Sequence, residues 1–408
     1  MKKIVYSACI IIAFLISGCG KPVEPEKEIV MWLAGSETQA MSVNEIGKEF
    51  YKINGVRVRC EAISWGEAHS KYLTSIAGGV APDIGTMGLT WGTEFGNLGV
   101  MIDLREAFSE DVNTIKKKIF PGMWKSINYR GKIYGIPFDM TEHVLYYRND
   151  IIKTPPDTWS GLVDILKELN KDRKSMIFDW GSLNWIGYSI FLWQAGGDYY
   201  NESFTRCTLD TEEAASGMRF FANLYNEFDM PKTQIPVEQG IRTGDFPLAI
   251  SGNWKIVSLA VEAPEIGDKW SIAMLPKGPS GRSTAFIGGR IMGVFAQSKM
   301  KKEAWQFIKF LFEPENQIKF YKKAEEMQDA YLPPNMDAWE TLPIKDDFKE
   351  ILKMQALDAK GPPPVVTWEA STRFVDQAIQ RTILAGMNAK EALNQAAHFV
   401  DEELKKTE

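Results

Sequence analysis

The chain has 408 residues, the length of two ordinary domains. Hydrophobic residues make up 45% and charged residues 25%, a balance that excludes a disordered chain, a collagen and a multi-pass membrane protein. The 47 basic against 53 acidic side chains give a net charge of −6, so no overall basic field invites nucleic acid. Three histidines and four cysteines leave little material for a metal site, whereas 13 tryptophans are many and have to be sorted.

Lys2 and Lys3 precede an apolar run from Ile4 to Ile16. That run is too short for a bilayer, which takes about 20 residues, but it suits a signal-peptide core. Leu15-Ile16-Ser17-Gly18-Cys19 resembles the bacterial lipobox. Residues 1–18 are therefore expected to leave as a signal peptide and Cys19 to carry a diacylglyceryl group; the alternative is an uncleaved anchor helix. Residues 19–28, with Pro22 and Pro25 among charges, read as a flexible tether. The body would then lie outside the cytoplasm, lipid-anchored to the cell membrane. Cys9 leaves with the signal, so Cys60 and Cys207 remain as thiols, and both are expected to be unpaired.

In chain order, Ile29 to Ala34 is a short apolar run that fits a buried strand. Val43, Ile46, Phe50 and Tyr51 recur at helical spacing, and Gly55 stops that helix. Val56 to Ala62 alternates as a strand, with Cys60 on its apolar side. A helix from Glu67 to Ala77 and a strand opening at Pro82-Asp83-Ile84 follow, so the first part predicts an α/β domain with a mainly parallel sheet. Gly131 to Pro137 and Leu145 to Tyr147 read as two further strands. Thr158 is placed to cap a helix through Leu169. Lys302 to Phe312 is amphipathic, and Asn388 with Glu391 has capping-box spacing before the last helix.

Catalytic motifs are absent: the sequence has no phosphate loop, no G-x-G-x-x-G and no nucleophile elbow. His69, His143 and His398 are isolated and read as surface or packing residues. Trp159 and Trp305 read as core, and Trp124, Trp180, Trp270 and Trp339 default to packing. Trp32, Trp65, Trp91, Trp185, Trp254 and Trp368 lie at strand ends or in loops, where an indole can line a cleft and present its face to a sugar.

Several segments, in order, resemble the family-1 extracellular solute-binding proteins, the group that includes maltose-binding protein and many sugar receptors of ABC importers. They are Ile76-Ala77-Gly78-Gly79-Val80-Ala81-Pro82-Asp83-Ile84, Gly131 to Pro137, Pro156-Asp157-Thr158-Trp159, Gly252-Asn253-Trp254, Leu275-Pro276-Lys277-Gly278-Pro279, Gly288-Gly289 and Glu303 to Leu311. The resemblance implies an α/β, two-lobed type II periplasmic-binding-protein fold with the ligand cleft between the lobes. Projected here, lobe one is 29–139 plus 286–335 and lobe two 140–285 plus 336–408. It implies a binding protein and no enzyme, with no cofactor and no metal. The expected partners are a carbohydrate, with an oligosaccharide favoured, and the permease of an ABC importer whose ATPase is a separate chain, with the receptor itself a monomer.

By the same resemblance Trp254 and Trp368 are expected as sugar platforms and Asn184 with Trp185 as a polar and an aromatic contact. Thr90 and Trp91 follow the Pro-Asp strand, and Trp32, Glu37 and Trp65 lie at the ends of the first two strands. Asp139 and Glu142 sit at the first crossing between lobes and are expected to accept hydroxyl hydrogen bonds. Arg290 directly after Gly288-Gly289 is less usual and, with Arg242, suggests as alternative a receptor for a phosphorylated or anionic sugar or glycerol derivative. A glycan-acting lipoprotein enzyme is the remaining alternative, though no nucleophile or acid pair stands out.

Overall fold

The structure, a computed structural model, describes residues 26–406. The expected signal peptide, Cys19 and most of the tether lie outside the described residues. Among these, no helix is long and apolar enough to cross a membrane.

The described strands are β1 (Glu28–Ala34), β2 (Arg57–Ile63), β3 (Ile84–Gly88), β4 (Asn128–Tyr129), β5 (Lys132–Ile133), β6 (Ile136–Arg148), β7 (Met176–Phe178), β8 (Leu248–Gly252), β9 (Trp270–Ala273), β10 (Ala285–Val294) and β11 (Ala359–Lys360). All but the β4–β5 hairpin join one mixed sheet in the order β2-β1-β3-β10-β6-β8-β7, with β11 on β10 and β9 on β6. β1 runs parallel to β2 in full register from Glu28↔Arg57 to Ala34↔Ile63. Two long strands pass through both halves. β10 pairs with β3 from Arg290 to Val294 and with β6 from Ile287 to Met292. β6 then pairs with β8 and β9 from His143 onward. The fold is thus two-lobed, with β1–β3 and their helices to one side of the long strands and β7–β9 and theirs to the other.

The local signals act as expected. Ser36 accepts from the Gln39 amide at 3.2 Å and starts the helix Glu37–Asn54, which Gly55 ends. Val43, Ile46 and Phe50 face inward, and Phe50 meets Phe307 of the helix Lys301–Phe312 at 5.1 Å. Thr158 caps Trp159–Lys171 through Gly161 at 3.2 Å, and Asn388 caps Ala389–Lys405 through Lys390 at 3.0 Å. One expectation is corrected. The two strands read at 131–137 and 145–147 are a short hairpin followed by the single strand β6, buried everywhere except at Tyr147. Polar Glu142 and His143 interrupt its apolar pattern, yet both are fully buried.

Cys60 and Cys207 are free, as expected, and both are buried. Burial pushes each thiol up to about 12, so neither is a reactive thiolate at neutral pH.

Candidate functional site

In open α/β sheets the crevice beyond the carboxyl ends of the strands collects ligand groups, because the chain leaves the sheet there and side chains are free to converge. Beyond β7 comes Trp180, and beyond β8 comes Trp254; their rings meet edge to face at 5.0 Å and 75°. Phe286 of β10 meets Trp180 at 5.4 Å and Trp185 at 5.5 Å, again edge to face. Tyr331 reaches Trp254 at 6.0 Å from the chain that follows the helix Pro314–Glu326. Trp180, Trp185, Trp254 and Tyr331 are each half-buried, so part of each ring reaches solvent, while Phe286 is buried behind them.

At the floor of this wall lies Thr141 of β6, whose Oγ1 is buried and has no hydrogen-bond partner. Gly288 lets the wall close: a Cβ there would sit 2.9 Å from Phe286, 3.0 Å from Thr141 Oγ1 and 3.3 Å from Trp180. Gly289 has φ 134°, and a side chain there would run into the Asp139 carbonyl. The Gly-Gly pair is thus a place of close backbone approach beside the aromatic wall.

Across the long strands, Trp65 opens the helix that follows β2 and stacks on Trp91 at 4.9 Å and 24°. Trp65 is 51% exposed. Thr90 Oγ1 donates to Glu369, the second residue of the helix Trp368–Ala385 that packs on the β7–β9 side. His69 lies beside this contact, 2.8 Å from Glu94. The hydrogen bond to Glu94 raises the His69 pKa, and the surrounding protein raises that of Glu369.

Other expected residues are placed elsewhere. Trp32 lies within β1 rather than at its end, donates to Glu61 at 3.1 Å and lies under Lys71 at 4.9 Å. Glu37 is exposed in the first turn of its helix. Asn184 spends its side chain as a helix cap, accepting from Ile186 at 2.9 Å. Trp368 is only 1% exposed, enclosed by Trp185, Tyr199 and Tyr200, so it has no free face and is no platform.

The two expected hydroxyl acceptors are also corrected. Asp139 is buried and bound to Arg290, its Oδ1 taking the Arg290 amide at 2.9 Å and its Oδ2 taking Nε at 2.8 Å and Nη2. Glu142 is fully buried, with neither carboxyl oxygen partnered. Strand alternation puts it on the face opposite Thr141 and His143. Burial raises its pKa well above the ordinary carboxylate value, since nothing pairs with its charged form.

Arg290 is equally committed. Besides Asp139 it donates through Nη1 to the Ala34 carbonyl at 2.6 Å and to Gln39 Oε1 at 2.8 Å. Burial opposes its charge, but Asp139 more than restores it. A guanidinium satisfied on Nε, Nη1 and Nη2 offers little to an anion. Arg242 is near Glu265 at 3.9 Å on the surface and does not join it.

Trp180, Thr141, Phe286, Tyr331 and Glu369 are the members of the candidate site that sequence reasoning missed. Trp180 carried the same signal as Trp254, an indole directly after a short apolar strand at Ile177-Phe178. Thr141, Tyr331 and Glu369 carried none.

The profile of the bacterial extracellular solute-binding proteins matches residues 45–350, and the chain belongs to that family. Family and fold are those of non-enzymatic solute-binding proteins, which sets aside an enzyme acting on glycans. Over 384 residues the chain is 24% identical to a putative binding protein of Brucella abortus, covering 89% of both. It is 23% identical over 318 residues to the maltotriose-binding protein of Pyrococcus abyssi, covering 75% of this chain and 67% of that one. It is 23% identical over 297 residues to the maltooligosaccharide ABC transporter solute-binding lipoprotein of Streptococcus pneumoniae, covering 67% and 66%. The sugar-binding protein MalE from Xanthomonas citri shares the fold with a TM-score of 0.83 at 23% identity, over 93% of this chain and 98% of that one.

Proposed function

We propose that this chain is a lipid-anchored extracytoplasmic receptor that captures an oligosaccharide by closing two lobes around it. It would hand that sugar to the permease of an ABC importer, acting as a monomer and leaving ATP hydrolysis to another chain. Lobe one comprises 29–139 plus 286–335, and lobe two 140–285 plus 336–408. The observation that carries the reading is the wall of Trp180, Trp254, Trp185 and Phe286 over the unpartnered Thr141 hydroxyl. Flat apolar ring faces with a few hydrogen-bonding groups match the C–H faces and hydroxyls of a sugar. The sugar-binding names among the relatives support the same class. Closure works because a ligand contacting both lobes does so only in the closed state.

An anionic ligand is the weaker reading, since the guanidinium that suggested it is already paired with Asp139. A thermal-shift and calorimetric screen of maltotriose, maltotetraose, other neutral oligosaccharides and sugar phosphates tests the assignment. A neutral oligosaccharide should raise the melting temperature, because a ligand that binds only the folded state at a hundredfold its Kd adds about 2.7 kcal/mol. A response confined to sugar phosphates, or to none of these, would overturn it. Cys19→Ser should release the protein from membranes without altering its fold; membrane retention with incorporated labelled lipid would refute the anchor.

A further inference from the structure

His143 is wholly buried on β6, two residues from Thr141 and on the same face. Its ring lies parallel to Trp180 at 4.7 Å and 13°, and Nε2 is 2.7 Å from the Trp180 carbonyl oxygen. A carbonyl only accepts, so Nε2 carries the hydrogen and the ring is held as one tautomer. Burial lowers its pKa to about 4, so the imidazole is neutral throughout the physiological range.

What His143 grips is an unusual stretch of backbone. Trp180 has φ 31°, Gly181 118° and Leu183 57°. An L-residue keeps such a conformation only where its surroundings impose it, and such residues cluster at ligand sites. Phe178 and Phe286 pack around the same ring at 5.7 Å and 6.0 Å, so His143 has little room to move.

We propose that His143 is the positioning residue of the aromatic wall, its Nε2–H and ring face together holding Trp180 in the left-handed conformation that sets it edge-on to Trp254. It acts through Trp180 and touches no ligand itself. Because β6 belongs to both lobes, the strut ties the shape of the wall to the strand that crosses between them. The inference rests on the reading of that wall as the sugar site.

The test begins with the unaltered mature protein. Nitrogen-15 NMR of its histidine rings should show His143 as the Nε2–H tautomer, unchanged from about pH 5.5 to 8.5 and with a slowly exchanging proton. A Nδ1–H ring would overturn the proposal with no substitution made. His143→Phe keeps a ring and removes the donor, while His143→Gln keeps a donor and removes the ring. The Phe variant should bind maltotriose about tenfold more weakly, the scale of one lost hydrogen bond. It should also speed amide exchange over residues 181–184 while its ligand-free melting temperature falls by no more than a few degrees, the cost of one stranded carbonyl. The Gln variant should recover part of the affinity. Unchanged affinity and unchanged exchange in the Phe variant would overturn the strut, as would a loss of affinity that only follows a loss of stability. If the unaltered protein binds no oligosaccharide, the sugar reading fails separately, and tautomer and loop exchange still decide the role of His143.

Discussion

The tryptophans on the two sides of the long strands are held in opposite ways. Beyond β7 and β8, Trp180 and Trp254 lock edge to face, and Trp180 leans on a buried histidine. Beyond β2 and β3, Trp65 and Trp91 stack face to face, and half of Trp65 lies in water. The first arrangement makes a fixed wall whose rings hold one another in place. The second leaves a large ring at the rim, free to adjust. Preorganisation lowers the cost of binding, so the braced side should dominate affinity and the loose side should tune it.

The largest effects should come from the ion pair that both sides share and from the buried core, and these should be effects on stability. Asp139→Ala strands the buried Arg290 guanidinium and should cost about 3–5 kcal/mol in denaturant unfolding. Trp368→Ala should cost a similar amount, about 3–5 kcal/mol, because it empties a closed space among Trp185, Tyr199 and Tyr200. A Trp368 variant with intact stability and lost binding would restore it as a platform. Next, Trp254→Ala should weaken the cognate sugar by about 2 kcal/mol, roughly thirtyfold in Kd by calorimetry. Trp65→Ala should cost less than about 1 kcal/mol, as expected at a solvent-exposed rim. Equal losses at Trp254 and Trp65 would erase the distinction between braced and loose sides.

The smallest expected effect concerns pH. Glu369 accepts a hydrogen bond from Thr90 beside the His69–Glu94 pair. Enclosure by protein raises the Glu369 pKa, and His69 is raised by Glu94 with a further contribution from Glu369. Glu369 therefore binds its proton more tightly when the contact is made than when it is broken, and His69, held mainly by Glu94, shares in this only through Glu369. The contact is strongest below the ordinary carboxylate range. It weakens as pH rises through the raised Glu369 value and then through that of His69. Solvent still reaches Glu369 and screens it, so sugar affinity should fall only about twofold between roughly pH 5.5 and 8. Glu369→Gln should flatten that slope, measured by calorimetry at each pH; an unaltered slope in this variant would assign it elsewhere.

Much of the scaffold was legible because it depends on neighbours in sequence. Ser36, Thr158 and Asn388 cap their helices by bonds that reach only two or three residues along the chain. The inward stripe of Phe307, Ile308 and Leu311 follows from helical spacing alone. The sorting of tryptophans was harder, because whether an indole is core or wall depends on what the fold brings against it. Trp368 and Trp180 were misplaced in opposite directions for that reason. Trp368 follows a proline-rich loop that looked open, but three aromatic rings close over it. Trp180 looked like packing, but it ends a strand in the crevice.

The sequence by itself determined the α/β alternation, the caps, the two unpaired thiols and the ordered fragments that mark an extracellular solute-binding protein, all set by local spacing or side-chain chemistry. Only the tertiary structure decided that Asp139 and Arg290 satisfy each other, that Glu142 is buried without a partner and that His143 braces Trp180. Those outcomes join residues as much as 151 positions apart. They arise from desolvation and pairing where β6 and β10 meet, which no local pattern encodes.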